Sequence, residues 1–547
     1  MTTATADDRV RLLREIQSAL AAQDVARAAT LAREALDKGI EEPFVLNLRA
    51  YWHESEGRNI DAVADLERAY SLAPKDITVI NALGLAYARL GRMREAVRAF
   101  DGILELDPDF APAHFNKGWT SEDLGDLDAA RASYSRAAEL MPQSADPSGH
   151  LAALAARLGD WPAARAAAAR ALQIQPRHAL AVMALAGAEI AAKNFAAAEE
   201  RLTFLLAGTS LSPAERARAE GILADLLEAH GHFGEAFAAY TRRNTLLRGQ
   251  HRLRYAGPGV ETMPQYLAWL TDAFALAAPE SWSNIAPPSG IAEGPRRHVF
   301  VLGFARSGTT LLEEILARDP DVVTTQERDA LTDSVREFLI TREGFAKLAA
   351  AGRGALRNGR SRYWLRIQEM GIDPTAKVLV DKQPFNTYKL PLIAKLFPEG
   401  RVVFSVRDPR DVVLSCFRRQ FRMNASTFEF LDLASTARLY DATMRAAELF
   451  RARLPLAVLE LRHEDLIADF EGQMRAVCDF TGVAWSESLR DFADAEGRRA
   501  VATPSSAQIR RGLNESGVGA WRNYRAQLEP VLPLLAPWIE RFNYPKD

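Results

Sequence analysis

Apolar residues fall into two patterns along this 547-residue chain. In the second half they gather into short, valine-rich runs: Val299-Phe-Val-Leu302, Lys377-Val-Leu-Val-Asp381 and Arg401-Val-Val-Phe-Ser-Val-Arg407. Helical spacing follows each run, and strands alternating with helices predict a parallel α/β sheet. Asp321-Val-Val reads as a further short strand. Ligands of such sheets sit beyond the carboxyl ends of the strands, so the residues just after each run carry most of the information. In the first half the spacing is helical, and it repeats.

Glycine recurs at 57, 91, 125 and 159, and proline at 74, 108, 142 and 176, both in steps of 34 residues. Two marker sets with one period resemble tetratricopeptide repeats, helix-turn-helix units of that length. Gly84, Tyr87, Ala96 and Phe100 fit one unit, and Gly118, Ala130, Tyr134 and Ala137 the next: small residues let helices approach and an aromatic fills the hole beside them. The glycine ends the first helix and the proline stops the second. Weaker signals at Gln23-Asp24, at Lys193-Asn194-Phe195 and at Gly231 extend the array to about six units over 8–245, a stack being needed because one repeat cannot bury its own apolar face. Such an array suits a protein partner, an acceptor or a second copy of the chain; a rigid spacer is the bland alternative. Residues 246–296 hold an amphipathic stretch around Tyr266 and then a Pro/Ser/Gly-rich linker. The α/β domain is expected over 297–547.

Composition changes little in this picture. With 48% apolar and 25% charged residues and a net charge of −3, nothing points to nucleic acid. Cys416 and Cys478 are too few for a disulfide framework. The start of the chain lacks a signal-peptide pattern and no run is long enough for a membrane span, so the cytoplasm is the expected location.

The chemistry lies after the strands. Gly303-Phe-Ala-Arg306-Ser307-Gly308-Thr309-Thr310 follows the G-x-x-x-x-G-K-[ST] phosphate-loop spacing, but Thr309 stands where the lysine belongs. Backbone N–H groups and a helix start favour an anion there, and the absence of the lysine that reaches the β- and γ-phosphates implies a nucleotide with a different tail. Arg407-Asp-Pro-Arg410-Asp411-Val-Val-Leu-Ser415 could hold a second phosphate through Arg407 and Ser415. Asp381-Lys382-Gln-Pro384 follows the second run, and Asp381 superficially matches a magnesium-binding aspartate.

Taken together, these segments resemble sulfotransferases that use 3′-phosphoadenosine 5′-phosphosulfate (PAPS), in particular bacterial tetratricopeptide-repeat sulfotransferases and tyrosylprotein sulfotransferases. The resemblance implies a tetratricopeptide helical solenoid followed by a P-loop-like parallel α/β sulfotransferase domain. It implies PAPS as donor, PAP as product and no metal. Arg306, Ser307, Gly308, Thr309 and Thr310 match the family's 5′-phosphosulfate loop, and Arg407 and Ser415 its 3′-phosphate segment. Glu327 matches the region of a catalytic glutamate, and Lys382 the lysine of an Asp-Lys-x-Pro segment. Ser505 and Arg511 match a closing loop that touches the transferring group or the nucleotide.

Sulfuryl transfer needs a base, charge stabilisation and an in-line leaving group, matters of positioning and electrostatics. Glu327 is the expected base, with Asp329 and His463 as alternatives, and Lys382 the expected charge stabiliser. The acceptor is open: peptide tyrosine, carbohydrate, lipid or small molecule. A P-loop kinase or nucleotide hydrolase, and a non-catalytic repeat scaffold, are the competing readings.

Overall fold

The 34-residue period appears as successive helix pairs: Pro43–Ser55 with Asn59–Leu72, Ile77–Arg89 with Met93–Leu106, Ala111–Leu124 with Leu127–Leu140, and Ala145–Leu158 with Trp161–Ile174. This computed structural model describes residues 6–283, 294–493 and 517–547. Its contacts divide the chain into two units, Met1–Glu215 and Arg216–Asp547. The first unit is the tetratricopeptide solenoid, extended by the pairs Ala6–Ala21 with Val25–Asp37 and Ala179–Ala191 with Phe195–Leu206.

Local chemistry sets each turn. Gly57, Gly91, Gly125 and Gly159 have φ between +74° and +83°, where a β-carbon is strained. Asp24, Asp126 and Asp160 accept backbone N–H groups at the starts of the following helices. The predicted pairing of small residue with ring is also present. A β-carbon at Gly84 would lie 2.7 Å from the Phe100 ring, and one at Gly118 2.6 Å from the Tyr134 ring. Adjacent helices therefore touch at backbone distance over a buried aromatic.

The second unit contains a five-stranded, all-parallel sheet in the order β2-β3-β1-β4-β5. The strands are β1 (Arg297–Gly303), β2 (Val322–Thr324), β3 (Val378–Lys382), β4 (Arg401–Val406) and β5 (Ala457–Arg462). Valine-rich runs suit this sheet because both faces are covered. Val299, Val301, Val378, Val380 and Val403 pack on one face with helices Thr309–Leu316 and Phe470–Thr481. Phe300, Leu302, Leu379, Val402 and Phe404 pack on the other with Leu390–Leu396, Leu433–Arg453 and Leu532–Arg541. β5 is not among the expected strands; it lies at the sheet edge, and its Ala-Val-Leu-Glu-Leu-Arg sequence is only half-buried.

Helix Phe233–Ala256, which the sequence pattern assigns to the last repeat as far as residue 245, groups by contacts with the second unit. The cause is polar. Buried Arg243 donates to the carbonyls of Arg418 and Phe417, both at 3.0 Å, and Asn244 donates to Phe417 O at 2.9 Å. These are carbonyls at the end of helix Pro409–Arg418, which no helical N–H satisfies. Phe237 stacks on Phe417 at 5.0 Å beside them.

The strand order leaves one crevice. From β1 the chain moves to the β3/β2 side, and from β3 it crosses to the β4/β5 side. The carboxyl ends of β3, β1 and β4 therefore flank one switch point, which is where ligands bind in open parallel sheets.

Candidate active site

The loop after β1 is shaped by close approach. Gly303 has φ +152°, and a β-carbon there would lie 2.5 Å from Ser405 O on β4. Its N–H and C=O both bond the Thr387 hydroxyl, at 3.1 and 2.6 Å. Arg306 is held at φ +72°, an uncommon conformation for a residue with a side chain. Gly308 has φ +95° and opens helix Thr309–Leu316; a β-carbon on it would lie 2.7 Å from His463 Nδ1. Backbone N–H groups at this helix start are available to an anion.

The segment after β4 closes on the same loop. Arg306 Nε donates to Ser415 Oγ at 3.0 Å, and Arg407 donates to Arg306 O at 3.3 Å and to Gly517 O. Arg306 and Arg407 are both nearly buried. Burial, and then Arg407, push the Arg306 guanidinium down to about 10. His463 is pushed down to about 3 by burial and by the same two arginines, so its ring is neutral at pH 7. Arg407 Nε and His463 Nδ1 are buried without a hydrogen-bond partner among the described residues. Two guanidiniums, an unsatisfied donor and a loop of N–H groups make a cradle that an anion would complete. Asp411 fixes the far wall by accepting from Gly519 N at 2.7 Å and Trp521 N at 2.8 Å, while Arg410 lies 3.7 Å over the Trp521 ring.

A second centre sits beside the first, at the end of β3. Lys382 is fully buried, and its Nζ lies 2.5 Å from Glu327 Oε1, 3.1 Å from Glu313 Oε2 and 3.4 Å from Thr310 Oγ1. Glu327 is carried on a strained turn: Gln326 and Glu327 have φ +52° and +64°. Consecutive left-handed residues with side chains persist only where their surroundings hold them. Here Glu313 Oε1 accepts Gln326 N–H at 3.2 Å, and Gln383 donates to Glu327 O at 3.1 Å. Thr325 Oγ accepts Lys382 N–H at 3.2 Å and lies 3.5 Å from Asp381.

The alternatives are otherwise engaged. Asp329 pairs with nearly buried Lys389 at 2.7 Å. The Asp381 carboxyl is turned into the core, where it accepts from Tyr363 at 2.8 Å and from Asn386 at 3.4 Å; burial pushes it up to about 7.

The structure thus brings together Arg306, Ser307, Gly308, Thr309, Thr310, Glu327, Lys382, Arg407 and Ser415. Ser505 and Arg511 lie outside the described residues. Sequence reasoning missed Glu313, Thr325 and Asp411. No local pattern marks Glu313, which stands beside a second carboxylate, Glu314, on the loop helix.

Residues 298–487 match the model of the sulfotransferase family, and residues 81–145 that of the tetratricopeptide repeat. An uncharacterized protein of Aquifex aeolicus (strain VF5) is 23% identical over 368 residues, 65% of this chain and 47% of that one. The chain therefore spans about half the length of that relative. Protein-tyrosine sulfotransferase 1 of Danio rerio is 24% identical over 260 residues, 45% of this chain and 72% of that one. An omega-hydroxy-beta-dihydromenaquinone-9 sulfotransferase of Mycobacterium tuberculosis (strain CDC 1551 / Oshkosh) is 28% identical over 113 residues, 20% of this chain and 29% of that one. The crevice at β3, β1 and β4 thus lies in a domain of the sulfotransferase family, carried in this chain behind tetratricopeptide repeats.

Proposed function

We propose that the chain is a PAPS-dependent sulfotransferase that acts on a hydroxyl acceptor, with peptide tyrosine the first acceptor class to test. The observation that carries this reading is the contact of Lys382 with both Glu327 and Thr310, which joins a carboxylate, a buried cation and the phosphate loop at one point. The donor fits the cradle by charge. Arg407 Nε is buried with no hydrogen-bond partner among the described residues, which with Ser415 suits a 3′-phosphate; the loop after Gly303, with Arg306, suits the 5′ end.

The donor supplies an activated sulfuryl group: a bond forms from the acceptor oxygen to sulfur, and the bond from sulfur to the 5′-phosphate oxygen breaks, its electron pair leaving on that oxygen. The protein's part is positioning and electrostatics. Glu327, a third exposed, takes the hydroxyl proton of the acceptor. Lys382, sealed from water, places its charge where negative charge grows on the transferring and leaving oxygens. Loop N–H groups, Arg306 and the Thr309 and Thr310 hydroxyls hold the leaving end in line. Ser505 and Arg511 are assigned to the segment that closes over the donor. The repeats are assigned to presenting the acceptor or binding a protein partner.

Incubation with sulfur-labelled PAPS and cell extract, followed by fractionation of the labelled product by mass, tests the reading and reports the acceptor class. Glu327→Gln and Lys382→Ala should each lower turnover by about 100-fold or more. Full activity in both, or no labelled product with the wild type, rejects the reading.

A further inference from the structure

An ammonium has three protons to donate, and Lys382 Nζ has three acceptors: Glu327, Glu313 and Thr310. Any donor oxygen that binds Lys382 must therefore displace one of them. The two carboxylates differ in how easily they let go. The Glu327 side chain is 34% exposed, whereas that of Glu313 is 3% exposed. Glu313 is also tied at both oxygens, Oε2 to Lys382 and Oε1 to the N–H of Gln326. A sealed carboxylate that loses its cation is left as an uncompensated buried charge, while one that faces solvent is rehydrated.

Resting on the reading of Lys382 and Glu327 given above, we propose that Glu313 is a positioning residue: the fixed anchor on which Lys382 pivots from Glu327 to the incoming donor. The ammonium stays paired throughout, and Glu327 is set free with its charge intact to accept the acceptor's proton. The same carboxylate holds the turn on which Glu327 stands, so one side chain of the loop helix sets both partners.

The charges around this centre come from three sides. Helix Thr309–Leu316 contributes Glu313 and Glu314. β3 contributes Lys382, with Asp381 reached through Thr325. The turn after β2 contributes Glu327, Arg328, which bonds the carbonyls of Thr325 and Met370, and Asp329, which is paired with Lys389. Burial raises the Glu313 carboxyl and Lys382 opposes that shift. Replacing Glu313 by glutamine removes a like charge near Glu327 and leaves Lys382 with a single carboxylate, and both changes weaken Glu327 as a base.

The test compares Glu313→Gln and Glu313→Asp with wild type in full-length protein. In the glutamine variant kcat should fall about 10-fold or more, with KM for PAPS changed by less than about 3-fold. The acid limb of kcat/KM should move down by about half a pH unit or more, and the aspartate variant, which keeps the charge, should return it. A purely structural role would lower the amount of folded protein and leave the limb in place. A second readout needs no turnover: urea midpoints of Glu313→Gln, Lys382→Met and the double variant. An anchored pair gives non-additive losses, with Glu313→Gln harmless once Lys382 is gone. An unmoved limb, or additive midpoints, overturns the proposal. If the wild type transfers no sulfuryl group, the functional reading fails by itself, and the urea cycle alone decides whether Glu313 anchors Lys382.

Discussion

Arg306 Nε donates to Ser415 Oγ at 3.0 Å, which joins the loop after β1 to a helix that begins after β4, 109 positions along the chain. Sequence spacing could nominate the two residues separately, but only the parallel pairing of β1 with β4 makes them neighbours. Their bond aims a guanidinium that could otherwise turn away. Replacing Arg306 by lysine keeps a positive charge and loses the planar fork, so PAP affinity measured by calorimetry should fall about 10- to 100-fold. Ser415→Ala removes the aiming bond alone and should cost about 3- to 10-fold. An affinity unchanged in both variants would mean that the phosphates of PAP are held elsewhere.

Gly308 should tolerate no side chain. Its φ of +95° is unfavourable for any residue with a β-carbon, and that carbon would meet His463 Nδ1 at 2.7 Å. Gly308→Ala should destabilise the protein by about 1–3 kcal/mol in urea unfolding. His463→Ala should relieve the steric part of that loss and leave the backbone part, so the double variant should unfold later than the sum of the single changes predicts.

How far the sequence revealed this site follows from how local each signal is. The Gly303–Thr310 loop, the Lys382 segment and the Arg407–Ser415 segment are short patterns, and the fold places all three at one switch point. The glycine period revealed the solenoid because each turn repeats the same backbone demand. Glu313 stayed hidden because its role comes from a neighbour 69 positions away, which no local pattern reports. Edge strand β5 was obscured by Glu460 and Arg462, tolerated there because an edge is half in water. Around Gly231 local and long-range signals diverge: the glycine carries a repeat-like turn, yet Arg243 on the following helix bonds carbonyls beyond position 416.

Asp381 should give the fold a distinct pH dependence. Burial pushes its carboxyl up to about 7, well above the ordinary aspartate value of about 3.9. A raised carboxyl holds its proton in the folded state after the unfolded chain has released it. Its contribution to stability is therefore full below about pH 4 and is lost as pH rises through about 7. Asp381→Asn cannot ionise, and its amide oxygen can still accept from Tyr363. The difference in urea midpoint, variant minus wild type, should rise steadily from pH 4.5 to pH 7.5. A flat difference would place an ionised aspartate in the core at all these pH values.

Truncation should respect the contact boundary rather than the repeat pattern. Removing residues 1–215 deletes the first unit and leaves Arg243, Asn244 and Phe237 in place. The remaining protein should melt in one cooperative transition. Removing residues 1–256 takes away the donors that satisfy Phe417 O and Arg418 O and uncovers the Phe417 ring. Those carbonyls end the helix that carries Ser415, so the loss should reach the donor cradle as well as stability. Arg243→Ala tests the same link with one change: the buried guanidinium makes two bonds to main-chain carbonyls, and its removal should cost about 2–4 kcal/mol in urea unfolding. PAP binding should weaken with it, because the helix end is then free to shift Ser415 away from Arg306. If Arg243→Ala lowers stability while PAP affinity stays constant, helix Phe233–Ala256 supports the fold without reaching the cradle.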